Sequence, residues 1–171
     1  TDYFFTTSEF ANENLINAGI KKDKIHFVGN VMIDTLKNQI ENFIKPDFFD
    51  NYKLSKKKYF VLTMHRPSNV DDKKKLIKLL DLIDSNTKNY PILFPVHPRT
   101  KSILSKNRIN FKNIIEVCPM AYLEFNYLVK NSSCVITDSG GITEETTVMN
   151  IPCITLRNNT ERPETIKYGT N

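Results

Sequence analysis

No apolar run in the 171 residues is long enough to cross a bilayer, and no charged-then-apolar signal is visible at the start. A membrane partner is therefore not expected. An arginine-rich stripe and an aromatic RNA motif are both missing, which argues against a nucleic-acid partner. Repeats and low-complexity tracts are absent. Cysteine is scarce: Cys118, Cys134 and Cys153 stand apart, each beside an apolar stretch. That spacing excludes a disulfide framework and a metal site, and suits buried free thiols in a reducing compartment, the cytoplasm. No metal or cofactor is expected. The chain opens on "TDYFFTTSEF" without a methionine, which reads as an excised piece or a processed chain.

What is present is ordinary globular material, 40% hydrophobic and 25% charged, enough for one sizeable domain, or one and a fragment. The net charge of +5 is spread over scattered lysines. "KKDK" and "SKKKYF" read as solvated turns, and the basic excess fits an anionic small molecule. Short β-rich runs alternate with helical stretches. "YFVLTM" (59–64), "PILFPV" (91–96), "NIIEVC" (113–118), "SCVIT" (133–137) and "PCITL" (152–156) are strand candidates. Helices are expected over 71–86, where Leu76, Leu79, Leu80 and Ile83 fall at helical spacing, and near 99–107, 121–130 and 141–149. This alternation implies βαβ crossovers and a Rossmann-like parallel sheet covered on both faces. Residues 1–50 read differently: a strand in "YFFTT", a helix over 8–18 closed by Gly19, a strand in "IHFVG", and a helix over 32–45 stopped by Pro46.

In a parallel sheet, ligands gather beyond the carboxyl ends of the strands. "HRPSN", "HPRT", "DSGG" and "RNNTERPE" all fall at such ends, so His65, His97, Ser139 and Arg162 are expected to converge. At a helix start the first backbone N–H groups lack partners and the dipole is positive. Gly140 and Gly141 would let a phosphate approach those groups, and Ser139 adds a hydroxyl. Glu144 and Glu145 would repel a phosphate beside them, but a carboxylate one turn on can accept from a ribose diol. Phosphate at the glycines with ribose at a glutamate describes a nucleotide. The alternative is an N-cap serine, a flexible turn and two dipole-favoured glutamates. His65 can donate to a diphosphate or act as an acid toward a leaving phosphate oxygen, and Arg66 can pair with phosphate bidentately. His65, His97 and Arg99 equally fit structural roles, and Arg162 fits a surface ion pair or a phosphate ligand. Pro163 suits a first helical position.

Taken in order, "GNVMID", "HRPSN", "PVHPRT", "TDSGGITEE" and "TERPE" resemble the non-hydrolysing UDP-N-acetylglucosamine 2-epimerases over nearly the whole chain. The resemblance implies the C-terminal half of a two-domain glycosyltransferase-B fold. Residues 1–30 would end the N-terminal domain, 31–54 would be a connector, and 55–171 the UDP-binding domain, truncated at its end. It also implies C2 inversion of UDP-N-acetylglucosamine by elimination and re-addition of UDP, and a homodimer at full length. Matched to the family's motifs, Ser139, Gly140 and Gly141 would hold phosphate. Glu145 would take the ribose hydroxyls, Arg162 the phosphate side, and Phe125 the uracil, core packing being its alternative role. His65 would sit by the diphosphate and help UDP leave. Arg66 and His97 match a second, regulatory UDP-N-acetylglucosamine site. Ser68 departs from that family's usual glutamate at the regulatory contacts. The carboxylates that move the C2 proton belong to the family's N-terminal domain. A binding module without catalysis and a hydrolysing epimerase are the competing functions.

Overall fold

A computed structural model describes residues 1–87, 90–106 and 110–171, apart from the side chains of Arg99 and Lys106, so the roles read for the Arg99 side chain and the end of the expected 99–107 helix lie outside what is described. The chain divides into two compact units, Thr1–Glu41 and Asn42–Asn171. The first holds β1 (Phe4–Thr6), α1 (Glu9–Asn17), β2 (Ile25–Phe27) and α2 (Val31–Gln39). β1 and β2 pair in parallel. Ser8 caps α1 by accepting from the Ala11 amide, and Asn30 caps α2 by accepting from Met32. Helix α2 ends at Gln39, short of the expected Pro46, and residues 40–42 tighten into a 3₁₀ turn. Beyond that turn the Ile44 amide donates to the Leu123 carbonyl, so it is not used to extend a helix.

The second unit runs α3 (Phe48–Asn51), β3 (Phe60–Thr63), α4 (Pro67–Val70), α5 (Lys73–Asn86), β4 (Ile92–Pro95), α6 (Pro98–Lys106), β5 (Ile114–Val117), α7 (Tyr122–Asn131), β6 (Cys134–Thr137), α8 (Gly140–Val148), β7 (Cys153–Thr155) and α9 (Pro163–Lys167). Its five strands are all parallel, in the order β5-β4-β3-β6-β7. Alternate residues on a strand point to opposite faces, and both faces here are apolar. Val61, Leu93, Val135 and Cys153 pack one way, with Leu128 and Val129 of α7. Leu62, Ile92, Phe94 and Ile136 pack the other way, against Leu76, Leu80 and Ile83 of α5 and Leu104 of α6. The buried α5 positions repeat at i, i+4 and i+7, and Asp72 caps the helix by accepting from the Lys74 and Lys75 amides. Tyr59, fully buried, donates its hydroxyl to the Leu128 carbonyl at 2.7 Å, tying α7 to the sheet. All three cysteines are free, but Cys118 is exposed rather than buried because it lies past the end of β5, in the loop.

The strand order decides where function can sit. From β3 the chain steps outward through β4 to β5, then returns to place β6 on β3's other side. The loops leaving β3 and β6 therefore diverge at one point of the carboxyl edge, the switch point at which open α/β sheets form a crevice.

Candidate functional site

The crevice is organised by one buried carboxylate. Asp138 follows β6 and is 0% exposed. It accepts from the amides of His65 (3.1 Å) and Arg66 (3.0 Å), and from the Asn69 side-chain amide at 3.1 Å. His65 Nδ1 lies 2.9 Å from its Oδ1. A carboxylate only accepts, so Nδ1 carries a proton in this contact and Nε2 is the nitrogen left to meet a ligand. The ring itself is 60% exposed. Asn69 also donates to the Leu156 carbonyl, at 3.0 Å. The "HRPSN" loop is thereby bound to the ends of both β6 and β7. Asp138 and Asn69 stand in the "DSGG" and "HRPSN" motifs, but the sequence assigned neither of them this role. The available signal was an aspartate directly after the strand run "CVIT", where a charge needs partners to be buried.

Helix α8 starts at Gly140, with Ser139 as N-cap residue in extended conformation. The Ser139 hydroxyl makes no capping bond; its amide donates to Thr137 Oγ1 at 3.0 Å. The first amides of the helix are thus not capped by the residue before them. A Cβ on Gly140 would stand 3.6 Å from Glu161 Oε2 and 3.7 Å from Arg157 Nη1. It would fit, but it would project into the space between those two charged groups. Gly169 answers to a different need: a Cβ there would meet Thr147 Oγ1 at 2.5 Å, so α8 and the chain end pack too closely for a side chain.

The two glutamates of α8 have separate surroundings. Glu145 is 5% exposed and accepts from the Tyr122 hydroxyl at 3.1 Å. Burial pushes its carboxyl up from the ordinary value, the Tyr122 bond works against that rise, and the Glu144 charge adds to it. The Tyr122 phenol is pushed up to about 12, by burial first and then by the Glu145 charge. Tyr122 was another residue missed in the sequence; it opens α7, and only the packing of α7 beside α8 brings it to Glu145. Glu144 lies 3.0 Å from Arg162 Nε, close enough for an ion pair but not aligned as a hydrogen bond. The repulsion expected from Glu144 toward an anion is reduced by that pairing.

Arg66 donates from Nε to the Asp138 carbonyl at 3.4 Å, and its Nη2 lies 3.5 Å from Glu161 Oε1. The structure thus brings Arg66 beside the α8 start, next to Ser139 and Gly140. A cleft of about 520 Å³ beside it is lined by Arg66, Ser68, Lys75 and Arg157. His97 is exposed, at the end of β4, next to β3 in the sheet. Phe125, on α7, is partly buried and packs against the core cluster. Among the described residues no group of three or more His, Cys, Asp and Glu side chains gathers as a metal site, and no helix is long and apolar enough to cross a membrane.

The family model of UDP-N-acetylglucosamine 2-epimerase matches residues 1–171. A UDP-N-acetylglucosamine 2-epimerase of Methanococcus maripaludis is 39% identical over all of this chain and 50% of its own length. A UDP-2,3-diacetamido-2,3-dideoxy-D-glucuronate 2-epimerase of Pseudomonas aeruginosa is 32% identical, over all of this chain and 48% of its own. Among solved structures, Methanocaldococcus jannaschii UDP-GlcNAc 2-epimerase in complex with UDP-GlcNAc and UDP superposes with a TM-score of 0.86 at 37% identity, covering all of this chain and 49% of that one. The parallel α/β architecture matches the glycosyltransferase-B type fold of those epimerases. The chain spans about half the length of the relatives it matches.

Proposed function

The chain belongs to the UDP-N-acetylglucosamine 2-epimerase family, and from that premise we propose that residues 42–171 bind the UDP of a nucleotide sugar whose C2 centre the whole enzyme inverts. The observation that carries the proposal is the crevice itself. At one switch point lie the start of α8, a histidine oriented by a buried aspartate, and a buried glutamate one turn along the helix. The diphosphate lies against the α8 amides, with Arg66 and Arg162 on the same edge, and the ribose diol donates to Glu145. His65 offers Nε2 to the phosphate oxygen that leaves the sugar, so its contribution grows as charge develops there. Ser139 and Gly141 complete the phosphate side, and Phe125 borders the base. Arg66 and His97 remain the residues proposed for a second, regulatory nucleotide sugar.

Relatives that match this stretch are named for different sugars, acetamidoglucose in one and diacetamidoglucuronate in another, while both are UDP-linked. This half therefore reads the nucleotide, and the sugar is chosen elsewhere in the enzyme. A carboxylate of the N-terminal domain takes the C2 proton as UDP leaves C1, so that the C–H electron pair becomes the C1–C2 double bond, and a proton is returned to the opposite face of C2 as UDP adds back to C1. The test is titration calorimetry of residues 1–171 with UDP, together with C2 deuterium incorporation from heavy water into UDP-N-acetylglucosamine by the whole enzyme. Binding with C2 exchange and recovery of the UDP-linked epimer supports the epimerase. Binding without exchange makes the protein a nucleotide-sugar-binding module, and release of free sugar makes it a hydrolysing enzyme. Lack of UDP binding overturns the reading altogether. The proposed full-length assembly is a homodimer in the cytoplasm.

A further inference from the structure

We infer that Arg157 is a ligand of the anionic group held at the start of α8, and that the Glu161 carboxylate is the internal anion which that group displaces. The inference rests on the nucleotide reading above and deepens it with two residues that no motif match assigned.

Arg157 follows β7 and its side chain is only 13% exposed. Its Nη2 donates to Glu161 Oε1 at 2.7 Å and to Asn159 Oδ1 at 3.4 Å. Its Nη1 is buried and, among the described residues, has no hydrogen-bond partner. A buried guanidinium N–H without an acceptor is unfavourable, so Nη1 is a donor in need of one. It points at the first residue of α8, 3.7 Å from where a Gly140 Cβ would be. Glu161 presents its other oxygen to the same point, at 3.6 Å. Arg66 Nη2, 3.5 Å from Glu161 Oε1, lies close to the same carboxylate. The Glu161 carboxyl is held below the ordinary range, first by the hydrogen bond from Arg157 and then by the charges of Arg157, Arg66 and Arg162, so it is an anion at neutral pH.

A carboxylate set beside two guanidinium groups at a helix start occupies the position a phosphate would take. The two anions are not equal competitors. Glu161 is 56% exposed, and an exposed ion pair is weak. A diphosphate brings more charge and more acceptor oxygens. It can take both Arg157 nitrogens and the α8 amides at once, the bidentate geometry that guanidinium groups favour. Glu161 then turns to solvent, and Arg157 gains the acceptor its Nη1 lacks.

Calorimetry with UDP and with uridine, on the wild-type chain and on Glu161→Gln and Arg157→Gln, tests this. Glu161→Gln removes the competitor and should tighten UDP about two- to five-fold, the range of an exposed ion pair, with uridine unchanged. Arg157→Gln should weaken UDP about ten-fold or more and leave uridine unchanged, since uridine has no phosphate. Arg157→Lys, which keeps the charge but loses the fork, should fall between; it also guards against a folding defect in the glutamine variant. UDP affinity unchanged or weaker in Glu161→Gln, or equal losses for UDP and uridine in Arg157→Gln, overturns the inference while leaving the nucleotide site intact. Absence of UDP binding by the wild-type chain removes both.

Discussion

Replacing Asp138 by asparagine tests the architecture of the crevice most directly. The carboxylate takes His65 Nδ1 and the His65 amide on Oδ1, and the Arg66 amide and Asn69 side chain on Oδ2. Asparagine keeps one acceptor oxygen and turns the other position into an NH₂ donor. If the remaining oxygen serves His65, the Arg66 and Asn69 donors face a nitrogen that cannot accept. Each buried donor left unpaired costs about 1–3 kcal/mol. Asn69 is buried and Arg66 only half-buried, so the lower part of the summed range applies, about 2–4 kcal/mol. For a unit of this size that is roughly a 10 °C fall in Tm. His65→Ala is the control. It removes an exposed ring from a carboxylate that keeps its other donors, and should cost about 1 kcal/mol or less. Thermal denaturation followed by circular dichroism, with both variants side by side, decides the matter. An Asp138→Asn melt within about 2 °C of wild type, or a His65→Ala loss as large as the Asp138→Asn loss, would refute Asp138 as the anchor of the loop.

Glu145→Gln should trade binding for stability. Burial raises the Glu145 carboxyl in the folded protein above its ordinary 4.5, so its contribution to stability is complete below that value and is lost as pH rises through the folded value. The glutamine variant should therefore melt above wild type at pH 7, with the gap closing below 4.5, while UDP binding weakens about ten-fold; a gap that widens toward acid would reverse the sign and sink the argument. Tyr122→Phe removes the donor that orients Glu145, and the affinity ratio between UDP and 2′-deoxy-UDP should shrink about three-fold, an unchanged ratio counting against a ribose role. Gly141→Val places a branched side chain on the first turn of α8, and unchanged UDP affinity by calorimetry would rule out a phosphate approaching those amides. Tyr59→Phe leaves the Leu128 carbonyl without its buried donor and should cost about 1–3 kcal/mol in urea denaturation, with no effect on UDP affinity.

The sequence by itself determined what depends on neighbours along the chain. The five apolar runs of the main sheet became strands, because β-branched and aromatic residues covered on both faces have few other ways to be buried. The Leu76–Ile83 spacing made α5, and the helix starting at Gly140 followed from the turn chemistry of "DSGG". Where a distant partner intervened, local reading failed. The helix expected to reach Pro46 stopped at Gln39, and Ile44 gave its amide to Leu123 instead. Cys118 proved exposed because it fell past the strand end. The candidate site divides in the same way. His65, Arg66, Ser139 to Gly141, Glu145 and Arg162 were legible as residue types at strand ends and helix starts. The contacts that organise them were not. Asp138 meets His65 across 73 positions of sequence, and Tyr122 meets Glu145 across 23. Only tertiary structure decided those meetings: β6 lies beside β3, and α7 packs next to α8. A carboxylate placed among donors that distant strands deliver is buried and orienting; the same aspartate in an isolated peptide would be hydrated, with nothing to orient.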